Sequence, residues 1–139
     1  MSHDCIFCKI VKGEIPATRV YEDSQALAFM DIGPVVKGHV LVIPKSHHNP
    51  LMETPVEVLQ NLIVVVRTIA RAQMKGLQAK GISVAQANGK AANQVVPHIH
   101  FHVIPRFTDD GFHGTWIAQS YDSMEEMNSY AGRIRQALV

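Results

Sequence analysis

His98-Ile99-His100-Phe101-His102-Val103 sets three imidazoles at alternate positions, and Cys5-Ile6-Phe7-Cys8 sets two thiols three residues apart. An imidazole is largely neutral near pH 7 and serves as nucleophile, proton carrier or metal ligand. A thiolate binds metal or exchanges disulfides. In an extended chain successive side chains alternate faces, so His98, His100 and His102 share one face and Ile99, Phe101 and Val103 the other. An imidazole face buried against apolar packing would strand polar atoms, so it is expected to line a groove. Three uses compete. A polar face of an edge strand explains one histidine better than three. A catalytic metal site would want a carboxylate or a distant third ligand, and the nearby loop offers only Asp109 and Asp110. The third use makes one neutral ring a nucleophile, with its neighbours orienting it and stabilising charge.

The cysteine pair has its own alternatives. The first ten residues do not resemble a secretory signal. The longest aliphatic run, Leu62 to Val66, is far short of the ~20 residues of a membrane-spanning helix. A cytoplasmic protein is therefore expected, with no membrane partner and no stable disulfide. A thioredoxin-like redox pair should follow a strand, and no strand has room to precede Cys5. Half of a four-ligand zinc site, completed by histidines or carboxylates, stands against two buried thiols.

The elements that must carry these residues fit one domain over residues 1–139. Hydrophobic residues make up 47% and charged residues 18%, which suits a compact fold, and 13 Lys and Arg against 12 Asp and Glu leave a net charge of +1. That near-neutrality argues against a nucleic-acid partner. Residues 5–12 read as a short helix stopped by Gly13. Residues 19–22 and 26–30 flank Asp23-Ser24 as a hairpin. Residues 39–43 read as a central strand ending at Pro44. Thr54-Pro55-Val56-Glu57 supplies an N-cap, a first-turn proline and a capping-box glutamate. The long helix that follows has an apolar face of Leu59, Leu62, Ile63, Val66, Ile69, Ala70 and Met74, which is the expected partner of Ile99, Phe101 and Val103. Strands are expected over 82–87 and 97–105, then a loop over 106–121. A second capping box, Ser123 to Glu126, opens a terminal helix. The fold class is α+β with a mostly antiparallel sheet.

Gln94 before the histidines, Pro105-Arg106 after them, and the runs Gly13-Glu14-Ile15-Pro16, Tyr21-Glu22-Asp23, Ala28-Phe29-Met30-Asp31-Ile32 and Gly38 to His47 fall in a familiar order. Over residues 5–106 the chain resembles the histidine-triad (HIT) family, closest to the bacterial-type histidine-triad nucleotide-binding proteins. The resemblance implies a HIT-like fold with a five-stranded sheet, one long helix and a C-terminal helix, residues 107–139 lying beyond the core. It implies a homodimer with the two sheets joined across the interface.

It also implies a hydrolase of nucleoside phosphoramidates or related nucleotidyl substrates, working on a purine nucleotide through a nucleotidyl-histidine intermediate. His100 would be the nucleophile, oriented by the His98 carbonyl, with His102 and Gln94 on the phosphate. Asp31 would bind the ribose hydroxyls, Phe7, Ile10 and Ile32 would contact the base, and Asn88 would add a polar contact. A structural Zn(2+) would be held by Cys5, Cys8, His47 and His98, with His48 the neighbour that could replace His47. Two other readings accompany this one: a dinucleoside polyphosphate hydrolase, as in a sister branch, and a nucleotide-binding regulatory module with residual catalysis. The chain departs from the family at Ala87, where Asn or Gln is usual; at Asn93, where Gly is usual and where Asn tolerates a positive φ better than most residues; and at Val95, where some relatives carry a hydroxyl. His3 is expected in a mobile terminus, His39 in the core or near the groove, and Trp116 as a packing or interface anchor. The loop with His113 is expected over the groove or the dimer partner's site.

Overall fold

The computed structural model describes residues 4–138, so His3 lies outside the described residues. Helix α1 (Ile6–Val11) begins at Cys5, whose Sγ accepts the Cys8 N–H in the position a Ser or Asp usually takes. It ends at Gly13, whose φ of 82° suits a residue without a Cβ. The hairpin of β1 (Arg19–Glu22) and β2 (Ala26–Met30) turns on Asp23, whose Oδ1 accepts the N–H groups of Gln25 and Ala26, both at 2.8 Å. After β3 (Val40–Pro44) come α2 (Val56–Gly76), β4 (Gly81–Ala85), β5 (Phe101–Arg106) and α3 (Met124–Gln136). The strands form one sheet in the order β1-β2-β3-β5-β4, with every pairing antiparallel. The fold is α+β, as the sequence implies.

Alternation along the strands divides the molecule. Ala28, Met30, Val40, Val42 and Val103 pack beneath α2 and α3 with Leu62, Val66, Ile69 and Ile134. Leu27, Phe29, Leu41 and Ile43 face the other way, onto Cys5, Phe7, Cys8 and Ile10 of the α1 segment. The triad histidines share this second face with His39.

Several local expectations are corrected. Thr54 does not cap α2: its hydroxyl donates to the Pro50 carbonyl at 2.8 Å, closing a 3-10 turn over Leu51–Glu53, and Pro55 precedes the helix without a side-chain cap. The buried stripe of α2 is Leu62, Val65, Val66, Ile69, Ala72 and Gln73, whereas Ile63 and Met74 face outward. A polar residue, Gln73, is drawn inside because backbone carbonyls wait for it there. The β5 ladder starts at Phe101 rather than at 97, because Pro97 has no N–H and the Ile99 N–H goes to the His48 carbonyl at 2.8 Å. Strand β4 stops at Ala85, short of 87. Asn93 has a positive φ, 69°, a conformation Asn tolerates better than most residues. Among the described residues no helix is long and apolar enough to cross a membrane.

Candidate active site

The histidine run divides between two neighbouring sites. At its start, His98 is fully buried, and its Nδ1 lies 3.3 Å from Cys5 Sγ and 3.6 Å from Cys8 Sγ. Cys8 Sγ is 3.3 Å from His47 Nδ1. A tetrahedral zinc with Zn–S of about 2.3 Å and Zn–N of about 2.0–2.1 Å sets sulfur and nitrogen about 3.5 Å apart, so these edges fit that ion. The Nε2–H of His98 donates to the Pro44 carbonyl at 2.9 Å. That bond leaves Nδ1 unprotonated and aimed at the sulfurs, as an outer-shell acceptor does for a metal-binding imidazole. Burial, with Cys5 next to it, pushes the Cys8 thiol up to about 11, so without a cation Cys8 holds its proton. The cluster Cys5, Cys8, His47 and His98 could therefore hold a metal ion. His48 points elsewhere, to the Ser46 hydroxyl.

Two residues further on, His100 is 8% exposed, less open than a histidine face lining a groove suggests. Phe7 packs edge-on against it, with ring centroids 5.1 Å apart. What remains uncovered lines a cavity of about 330 Å³, together with Phe7, Ile10, Asp31, Ile32, His102 and Trp116. The His100 Nδ1–H donates to the His98 carbonyl at 2.7 Å. A carbonyl only accepts, so Nδ1 carries the proton and the neutral ring keeps its lone pair on Nε2.

His102 has the complementary state, and His39 sets it. The Val35 N–H donates to His39 Nδ1 at 3.2 Å. His39 must then carry its proton on Nε2, which lies 2.9 Å from His102 Nδ1. His102 accepts there and keeps its own proton on Nε2. One backbone acceptor and one backbone donor thus give adjacent rings opposite tautomers: a lone pair on His100 Nε2 and an N–H on His102 Nε2. Burial pushes His39 and His102 down to about 3 and His98 to about 4, and it lowers His100 against the raising pull of the His98 carbonyl. All four rings are neutral at pH 7.

Asp31 follows β2 at the cavity edge. Its Oδ1 accepts the Gly33 N–H at 2.8 Å, and its Oδ2 stands 3.5 Å from His39 Nε2. Ile32, 78% exposed, forms the rim. Two expected contacts are not brought to the cavity lining. The Gln94 amide donates to Asn49 Oδ1 and the Val96 carbonyl and accepts from the Gly89 N–H, and Asn88 pairs with Gln86 and the Leu51 N–H. Each amide is satisfied between its own loop and the Asn49–Leu51 segment, which presents closer partners than the cavity does.

Two residues that shape the site were given no site role by the sequence. His39 is one; its only signal was a polar residue opening an otherwise apolar strand. Trp116 is the other, its ring 4.8 Å from that of His102 and 5.7 Å from that of His39. The loop that carries it is tied at both ends. Arg106 pairs with Asp110 at 2.8 Å and donates to the Phe112 carbonyl, and Gln119 donates to the carbonyls of Pro34 and Val35. The guanidinium holds the Asp110 carboxyl well below the usual range. Trp116 rather than His113 reaches the cavity.

Comparison with known proteins gives the same grouping. The HIT domain family model matches residues 12–109. An adenosine 5'-monophosphoramidase of Candida albicans is 38% identical over 123 residues, 85% of this chain and 81% of that protein. An adenylylsulfatase of Arabidopsis thaliana is 41% identical over 120 residues, 86% of this chain and 59% of that protein. The crystal structure of a zinc-bound histidine triad family protein from Mycobacterium smegmatis superposes with a TM-score of 0.85 at 40% identity, covering 99% of this chain and 95% of that one. The likeness runs through chain and fold together, and the protein belongs to the HIT family.

Proposed function

We propose that the protein hydrolyses purine nucleoside phosphoramidates or closely related nucleotidyl substrates through a nucleotide bound covalently to His100. The observation that carries this reading is the bond from His100 Nδ1 to the His98 carbonyl at 2.7 Å, which leaves Nε2 as a neutral nucleophile in a nucleotide-sized cavity. His100 Nε2 attacks phosphorus, the bond from phosphorus to the leaving amine breaks, and the amine departs with a proton from the surrounding water. The imidazole, now cationic, is a good leaving group; water attacks phosphorus, the bond to Nε2 breaks, and nucleoside monophosphate leaves as His100 returns to neutral. The His102 Nε2–H, held by His39, donates to the phosphoryl oxygens as their charge grows. Asp31 binds the ribose hydroxyls and Phe7, Ile10 and Ile32 flank the base. Hydrolase activity is supported by the relatives that carry that name.

Cys5, Cys8, His47 and His98 would hold zinc, which supplies a structural crosslink between α1 and the start of the histidine run. A second copy of the chain is the proposed partner. Strand β4 is a sheet edge and carries exposed Val84, and the outward face of α2 carries exposed Ile63 and Val64. Pairing two β4 edges would cover all three. The engagement of Gln94 by Asn49 and of Asn88 by the Leu51 N–H, away from the cavity, favours one second reading, a nucleotide-binding module with residual catalysis.

The deciding experiment is rapid-quench mass spectrometry of the protein with adenosine 5'-phosphoramidate. A transient mass gain of one adenylyl group, absent in His100→Gln, is expected. Nucleotide binding without adduct or turnover would leave the binding module standing.

A further inference from the structure

Gln73 is fully buried in α2, on the face of the helix that packs against the sheet. Its Nε2 donates to the Gly38 carbonyl at 3.0 Å and to the Val103 carbonyl at 2.9 Å, and its Oε1 has no partner among the described residues. Two neutral hydrogen bonds set against one orphaned buried carbonyl are close to an even exchange, so net stability does not explain an amide here. Its targets do. Gly38 immediately precedes His39 and Val103 immediately follows His102. The β3–β5 ladder ends at Val40 and Val103, so His39 lies beyond its last paired position. Gly38 is also held by its N–H, which donates to the Tyr121 hydroxyl at 2.9 Å. Its φ is 102°, and a Cβ there would lie 2.6 Å from Leu77 Cδ1 and 2.9 Å from Pro105 Cγ. The chain entering His39 is thus pinned from both sides.

We propose that Gln73 is a positioning residue for the hydrolysis: by tying the Gly38 and Val103 carbonyls together from α2, it sets the separation at which His39 keeps His102 in its Nε2–H tautomer. The inference rests on the proposed function for its catalytic consequence but not for its structural content. Spacing matters because a hydrogen bond between rings weakens steeply once it is stretched or bent, and His102 with its proton on Nδ1 would offer the phosphoryl oxygens a lone pair instead of a donor.

The test uses the full-length protein with 15N-labelled histidine. Long-range proton–nitrogen correlation spectra report the tautomers of His39 and His102, and steady-state kinetics report kcat and KM for adenosine 5'-phosphoramidate. In Gln73→Met, which keeps the length and loses both donors, His102 is expected to populate both tautomers, with kcat down about tenfold and KM within about twofold. Gln73→Asn, one methylene too short to reach both carbonyls, should show the same pattern more weakly, and it decides the matter if the methionine variant does not fold. A folded variant with the wild-type His102 tautomer overturns the proposal even if its melting temperature has dropped, since a purely structural glutamine predicts that result. If the wild-type protein does not turn over the phosphoramidate, the proposed function fails while the tautomer spectra still decide the clamp.

Discussion

His98 and His100 are the same residue type two positions apart on one face, and the structure puts them to opposite uses. His98 gives its Nε2–H to the Pro44 carbonyl and turns Nδ1 to two sulfurs. His100 gives its Nδ1–H to the His98 carbonyl and keeps Nε2 for the cavity. Which nitrogen is free follows from which backbone carbonyl lies within reach, and nothing in the imidazole itself chooses. The metal-type cluster is closed by four side chains; the cleft is closed by aromatic rings and left open where a substrate would enter. Sites this close remain chemically separate because the polypeptide backbone assigns each ring its tautomer.

The sharpest way to break this comparison is to remove one ring and ask whether the other site notices. His100→Ala should lower turnover by about 10⁴-fold, as loss of a nucleophile does, while bound metal measured by plasma mass spectrometry stays unchanged. Loss of metal together with activity would mean that the two sites are one. Cys8→Ser is the reciprocal change. It should abolish stoichiometric zinc and lower the melting temperature by at least ~10 °C, yet the folded fraction should still form the His100 adduct.

Asp31→Asn acts within the cleft alone. Removing charge-assisted bonds to a ribose, each worth about 1.5–3 kcal/mol, should weaken adenosine monophosphate binding ~10–100-fold by calorimetry, with metal content unaltered. Equal affinity in both proteins would take the ribose off Asp31. The smallest effect per residue is a dependence on pH. His39 and His102 protonate near 6.5 in the unfolded chain but only at about 3 in the fold. Between those values the unfolded state holds more protons, so stability is complete above about pH 6.5 and is lost as pH falls below it. Urea unfolding should show a loss of about 1.4 kcal/mol for each of the two rings from pH 7.5 to 5.5, with a shallower slope in His39→Asn. A flat profile would contradict neutral burial of the pair.

Much of the candidate site was legible because it depends on alternation and spacing. Three histidines at every second position must share a face, and Ile99 and Val103 do pack beneath the long helix. The family resemblance supplied the quartet that the structure brings within bonding distance of one ion. Other features were hidden for identifiable reasons. Thr54 matched an N-cap pattern, but a neighbouring carbonyl claimed its hydroxyl. Gln94 and Asn88 stood at the expected positions, yet Asn49 and the Leu51 N–H, 45 and 37 residues away, engaged the two amides. Gln73 broke the apolar stripe of α2 and gave no sign of what it would bind.

By itself the sequence determined the periodicities: which residues alternate, where helices start and stop, and which chemistries the cysteines and histidines could supply. Only the tertiary structure decided the pairings across long stretches of chain, such as Cys5 with His98, 93 residues apart, and His39 with His102, 63 apart. Periodicity is local because it follows from backbone geometry. The protonated nitrogen of each buried ring is set by the nearest donor or acceptor in space, and that group arrives only when the sheet closes.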